Sequence, residues 1–457
     1  MRYLLALVAL LLLILGGAFL IAGRMAGPSI HIERPERFVG QSTPMDVIIG
    51  APGAELSSMT IEVEQAGNRV LVYSVAEPQG AEVKQDGEDR VRVTRDIGRQ
   101  GIPELQSGPA RIIVTASSPV MYGLRQAEST ESRDVQVRLE RPRVAVISTH
   151  HFVNHGGAEF VVYRATPEDV ESGVLVGDIE YPGYPASGLN VSGISIADPA
   201  VRVAFYALRH DQDLRTPMRL FARDEAGNTA RADFDYRPFP KPFKKSRIEL
   251  DDRFLARVVP AILEGTDEVN PSGELIDQFL TINGELRQMN NDKIASFASQ
   301  TSPVMLWGGE PFYAFRNTGV QSAFADHRTY YYQGREVDQQ VHLGFDLASY
   351  MSTPIVASGA GRVLFADELG IYGNTVILDH GLGVQSLYSH LSSIEVQTGQ
   401  DVTRQQQLGR SGMTGMAGGD HLHFTMLVNG TMVNPIEWWD PKWVNDRVMR
   451  KLREASQ

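Results

Sequence analysis

The chain has 457 residues, 42% of them hydrophobic and 21% charged, with a formal net charge of −12. That length is too great for one ordinary core, so about two to four domains are expected, and the composition is that of a folded protein. The acidic balance argues against nucleic-acid binding, which needs a basic face. The absence of cysteine excludes thiolate metal sites, a catalytic thiol and disulfides.

The run from Tyr3 to Gly23, "YLLALVALLLLILGGAFLIAG", carries no charge and is long enough to span a bilayer. We expect a retained transmembrane anchor over 1–24 rather than a cleaved signal peptide. The only late small-x-small pair is Gly16/Ala18, and apolar residues continue past it. Arg2 lies on one side of the run and Arg24, Arg34 and Arg37 on the other, so charge alone leaves the orientation open.

Short alternating runs follow from residue 28, among them "MDVIIG", "MTIEVEQ", "DRVRVTRD" and "ARIIVTAS". Their period of two predicts an antiparallel β-sandwich over 28–140. A second set, "RVAVIST", "EFVVYRAT" and "VRVAFYALR", predicts another β-domain over 141–240. Its stretch Arg223 to Tyr236 resembles the closing hairpin of bacterial immunoglobulin-like domains through a D-x-A-G-N turn, where Gly227 and Asn228 suit positive φ.

"RPFPKPFKKSR", Arg237 to Arg247, is proline-rich and basic and predicts a linker, which opens a helical segment over 241–300. Leu250, Phe254, Val258 and Ile262 recur at helical spacing, and Pro260 should kink or end that helix early. A second helix is expected from Asn270-Pro271, with Leu275, Phe279, Leu280 and Leu286 as its apolar stripe. Strands and glycine turns return over 301–440, and a basic amphipathic helical tail covers 441–457. The fold class is therefore mainly β, with a transmembrane helix, two sandwich domains, a short helical segment and a C-terminal antiparallel β-domain.

Five of the eleven histidines lie beyond residue 340. "VHLGFDLAS" sets His342 and Asp346 four apart, on one face if the segment is one extended strand, with Gly344 adding no bulk between them. "HLHF" sets His421 and His423 on one face. Two imidazoles and a carboxylate suit a catalytic zinc with a position left open for water. Either pair alone is more often a solvated or packed set of side chains. "YSHL" places Tyr388 and His390 on one strand face, between those two pairs in the chain.

The segment from about Gly319 to Trp439 resembles the lysostaphin/LytM-type zinc endopeptidases, which cut peptide bonds in bacterial cell walls. The matching elements occur in order: "SAFADHR", "HLGFDLA", "TPIVASGAGRV", "YGNTVILDHGLGVQSLYSHL", "VQTGQDVTRQQQLGRSGMTG", "GGDHLHF" and "VNPIEWW". The resemblance covers the last quarter of the chain. It implies one Zn2+ held by His342, Asp346 and His423, with His390 and His421 as catalytic histidines that do not bind metal. Asn374 and Tyr388 are candidate substrate-binding residues, and Tyr388 could equally pack beside His390.

The sequence departs from the family pattern at Ala325 and Gln405, where glycine is usual, and at Asp420, where proline is frequent. These positions concern loops and groove shape. His380 in "LDHG" reads as structural, and His150, His151 and His155 as a solvated strand end. Tyr330–Tyr332 could line a groove, whereas Trp438 and Trp439 more often pack than bind sugar.

The implied protein is a single-pass cytoplasmic-membrane enzyme with its bulk on the periplasmic side, hydrolysing amide bonds in peptidoglycan cross-links. Cell-envelope protein partners could bind the β-domains. The alternative is a non-hydrolytic regulator or scaffold that activates other wall hydrolases. A third possibility is an active domain gated by the helical segment 248–299.

Overall fold

Alternating apolar residues in the first β-region fold into two sheets that share a core. The computed structural model describes residues 27–51, 56–76, 80–87, 89–120 and 125–457, with positions 10, 16 and 17 in isolation. Two compact units divide the chain: 1–142 with 223–229, and 143–222 with 230–457. In the first unit one sheet contains Thr43–Gly50 and Arg90–Ile97, and the other contains Ser58–Gln65 and Gly108–Val120. Met45, Val47, Ile49 and Val93 from one sheet meet Met59, Ile61, Ile112 and Val114 from the other. At the 223–229 turn only Gly227 takes positive φ (85°); Asn228 instead donates its backbone N–H to the Asp224 carboxylate at 2.8 Å.

The expectation of a single-pass membrane protein is corrected: among the described residues no helix is long and apolar enough to cross a membrane. The apolar run Tyr3–Gly23 lies outside the described residues apart from those isolated positions.

In the second unit, the strands Ala158–Thr166 and Val201–Ala207 bury Phe160 and Phe205 in a core that also holds Trp438. The rings of Phe205 and Trp438 are 5.5 Å apart. Polar groups fasten the same region: Glu437 accepts from Ala158 N at 2.8 Å and Asn154 Nδ2 at 2.6 Å. The C-terminal tail, helical over 441–455, buries Val444, Val448 and Leu452 as its amphipathic pattern predicts. It also buries Lys451, which donates to Glu159 at 2.9 Å.

Part of the predicted linker is strand. Tyr236–Phe239 pairs with His151–Asn154, and Lys245–Leu250 adds a parallel edge to Asp326–Tyr332. The following helix runs Asp252–Glu264 straight through Pro260, its start capped by Asp251 accepting from Phe254 N. Pro260 and Ala256 are both exposed, so the carbonyl that proline leaves without a helical donor faces water. The second helix begins at Leu275 rather than at Asn270, with Glu274 as its extended flank, and continues through a widened turn to Ser296. Phe279, Ile282 and Leu286 are buried.

The sheet that carries the site places Phe345–Ala348, Leu422–Val428, Val384–Ile394 and Asn374–Gly381 side by side, all antiparallel. Along it Asp346 stands opposite His423, and His423 opposite Ser389.

Candidate metal centre and groove

Cross-strand neighbours in a sheet point to the same face, so the Asp346–His423 register already sets two donors together. His342 arrives differently from the expected single strand. It ends the strand Arg335–His342 of a separate three-stranded sheet, and the chain breaks at Leu343-Gly344 before Phe345. The break still brings His342 Nε2 to 2.9 Å from Asp346 Oδ1 and 3.0 Å from His423 Nδ1. His423 Nδ1 is 3.0 Å from Asp346 Oδ1, which closes a triangle of buried donor atoms. Among the described residues this is the group that can hold a metal ion.

Its chemistry fits a cation. His342 Nδ1 faces Ala323 O at 3.2 Å, which fixes the proton there and leaves the Nε2 lone pair toward the triangle. The three donor atoms lie 2.9–3.0 Å from one another, so a single small cation such as zinc would be within reach of all three. Burial, with His342 and His421 nearby, pushes His423 down to about 4, so its imidazole is neutral and free to coordinate. Burial alone would raise Asp346. The neighbouring imidazoles of His342, His421 and His423 outweigh it and hold the carboxyl well below its usual range. A Cβ on Gly344 would stand 2.5 Å from the His423 ring, so this position must be glycine.

His390 and His421 flank the triangle without joining it. Each ties Nδ1 to a backbone carbonyl, Thr414 O at 2.8 Å and Gly419 O at 2.7 Å, so each turns Nε2 the other way. Their ring centroids are 4.9 Å apart. Burial and the neighbouring His421 and His423 keep His390 neutral, well below its ordinary value. For His421 burial pulls downward, but the Asp346 carboxylate, 3.5 Å from its Nε2, raises it overall.

The sequence-predicted residues separate here. His342, Asp346, His390, His421 and His423 all face one groove of about 880 Å³. Tyr388 does not, and its candidate substrate role is corrected. It is fully buried, its hydroxyl accepting from Ser358 N at 2.7 Å and its ring against Phe424. Asn374 does not line the groove either: its Nδ2 donates to Leu391 O at 3.1 Å, a contact that supports the hairpin. His380 is structural, buried between Ala360 O and Ser386 Oγ, both at 2.7 Å. The nitrogens of His151 bond Ser148 and Asp235, and His155 bonds Gln212. Trp438 packs in the core and Trp439 stacks on Phe424, whereas Tyr330 does line the groove.

Three participants were missed. Arg328 donates to Asp346 Oδ2 at 2.9 Å, occupying the oxygen that the histidines leave. It sits in the quoted "SAFADHR", two residues beyond Asp326, which pairs with His342; that register was the available signal. Thr414 holds His390 and also receives Asn374 N and donates to Leu391 O through its hydroxyl, both at 2.9 Å. Tyr372 sets its ring 5.6 Å from His423. The departures Ala325 and Gln405 both adopt positive φ, 59° and 66°, which explains the glycine usual there. Asp420 accepts from Ser411 Oγ at 2.6 Å and Ser352 N at 3.0 Å, pinning the loop before His421.

The sequence profile of Peptidase family M23 matches residues 340–435, the span that holds all five site residues. DD-carboxypeptidase/endopeptidase Mpg of Neisseria meningitidis is 39% identical over 97 residues, 21% of this chain and 22% of its own. Peptidoglycan DD-endopeptidase ShyA of Vibrio cholerae is 41% identical over 96 residues, again 21% of this chain and 22% of its own. The match thus spans about a fifth of the length of these relatives. The catalytic domain of the antimicrobial peptidase lysostaphin from Staphylococcus simulans aligns at 24% identity over 32% of this chain and 96% of its own, with a TM-score of 0.21.

Proposed function

We propose that this chain is a zinc-dependent endopeptidase that hydrolyses amide bonds in the peptide cross-links of peptidoglycan. The observation that carries the reading is the convergence of His342, Asp346 and His423 within hydrogen-bond distance, with two further histidines oriented beside them. A relative named as a peptidoglycan DD-endopeptidase supports the substrate class.

A zinc ion held by His342 Nε2, Asp346 and His423 Nδ1 supplies Lewis acidity and makes water a stronger acid. The remaining work belongs to side chains of this chain. Arg328 and the Ala323 carbonyl orient the ligands from behind. His390, neutral and fixed through Nδ1, offers Nε2 as the acceptor for the proton that the attacking water loses. His421, whose pKa is raised by Asp346, can donate from Nε2 to the oxygen that gains charge as the amide carbonyl becomes tetrahedral. The proton then passes to the leaving amine, and the C–N bond breaks.

The test is mass spectrometry of muropeptides after incubating peptidoglycan with the purified full chain, alongside metal analysis. Stoichiometric zinc and release of uncross-linked peptides, abolished by Asp346→Ala, are expected. Intact cross-links in the presence of bound zinc would favour the non-hydrolytic regulator instead.

A further inference from the structure

The groove has a second bank, built from the helix Asp252–Glu264, and its charges do not cancel. Arg253 and Arg257 stand one turn apart on that helix and both line the groove. Arg257 is partly tethered: its guanidinium donates to Ala417 O at 2.7 Å, on the loop that leads to His421, and lies 5.6 Å from the Phe254 ring. That contact uses one of five donors. Arg253 is exposed and, among the described residues, has no hydrogen-bond or ion-pair partner.

The carboxylates lining the groove are each already engaged. Glu249 pairs with Arg247, and Asp251 caps the helix by accepting from Phe254 N. Asp346 belongs to the metal cluster and to Arg328, and Asp420 is held by Ser411 and Ser352. This leaves two guanidinium forks with open donors on one bank, in a chain whose net charge is −12. A planar fork matches a carboxylate with two parallel hydrogen bonds, which gives position as well as attraction.

We propose that Arg253 and Arg257 form a subsite that recognises a free carboxylate of the substrate peptide and so sets which peptides enter the groove. The proposal rests on the hydrolase reading above and adds to it a chemical requirement: an acidic, not a neutral, peptide arm must lie on the helix side of the scissile bond.

The experiment compares a fluorescent cross-linked stem-peptide dimer with the same dimer amidated at its free carboxylates. Both are offered to the zinc-loaded full chain and to an Arg253→Gln/Arg257→Gln variant. Binding is followed by anisotropy and turnover separately. For the unaltered chain the free acid should bind about tenfold more tightly than the amide, with kcat similar for the two. The double variant should lose that preference and bind the two dimers alike. Equal weakening for both dimers, or a carboxylate preference that survives the double substitution, overturns the subsite. Absence of cleavage with the binding preference intact overturns only the hydrolase reading.

Discussion

His390 stands one position out of register with His423. The residue directly opposite His423 is Ser389, yet it is the His390 ring that lies 5.8 Å from His423. Between Tyr388 and Leu391 the strand carries one residue more than the facing stretch from Asn374 to Val376, and His390 adopts φ 61°. A bulge of this kind re-aims a side chain. Without it His390 would share the face of Tyr388 and point into the core. The left-handed backbone costs roughly 1–2 kcal/mol, and Thr414 offsets part of that through bonds to His390, Leu391 and Asn374.

Thr414→Val should therefore reduce turnover through the bulge rather than through the metal. The hydroxyl bonds to Leu391 O and Asn374 N are lost, while the Thr414 carbonyl remains for His390 Nδ1. A small misplacement of a reacting group costs roughly 10- to 100-fold in kcat. Steady-state kinetics should show that fall, with zinc content by mass spectrometry unchanged.

If the two histidines of "HLHF" divide the work as proposed, their variants should differ. His423→Ala removes a corner of the donor triangle, so stoichiometric zinc should be lost on dialysis. His421 reaches Asp346 only at 3.5 Å and keeps its Nδ1 on Gly419 O, so His421→Ala should retain zinc and lose activity by at least about 100-fold. Equal zinc loss from both variants would refute this division.

The five residues that meet in the groove were legible because the chemistry needs particular residue types at particular spacings, and the ordered motifs supplied the roles proposed for them. The geometry around them was less legible. Alternation assigned Tyr388 and His390 to one face because a period-2 reading has no place for an extra residue in a strand. His342 and Asp346 were read as one strand, although their chain breaks at Gly344 and they meet from two sheets. Arg328 and the arginines of the helical segment reach the groove through tertiary packing, on which local pattern is silent. Helix ends slipped for a similar reason: Pro260 is tolerated because its face is exposed.

Support behind the ligands should be measurable as metal affinity. Arg328→Gln removes the donor on Asp346 Oδ2, and Gly344→Ala drives a methyl against the His423 ring. Each should weaken zinc binding about 10- to 100-fold in a chelator competition. The glycine variant should also lower thermal stability, since the Cβ additionally meets Thr425 Oγ1 at 2.6 Å.

The departures at Ala325 and Gln405 predict unequal responses to glycine. Gln405 is exposed at φ 66°, so Gln405→Gly relieves the strain and should raise unfolding stability by about 0.5–1 kcal/mol in urea. Ala325 is fully buried at φ 59°. There the relief is offset by a lost buried methyl worth about 0.8 kcal/mol, and Ala325→Gly should be close to neutral.

Glu437 should give the fold a pH dependence that is separate from the site. Burial raises its pKa from 4.5 to about 7, against hydrogen bonds from Ala158 N and Asn154 that lower it. The folded chain therefore holds this proton more tightly than the unfolded chain. The associated stability is fully present below pH 4.5 and is lost as pH rises through about 7, a change of about 3 kcal/mol. Glu437→Gln cannot titrate. Its amide also faces one backbone or side-chain donor where a carboxylate oxygen accepted, so the variant should start about 1 kcal/mol less stable. Urea midpoints at pH 5, 6, 7 and 8 decide the matter (a series in about unit steps). The parent's advantage should fall from pH 5, change sign, and settle by pH 8 as a disadvantage of about 1–2 kcal/mol, and a difference that stays constant would overturn the raised pKa.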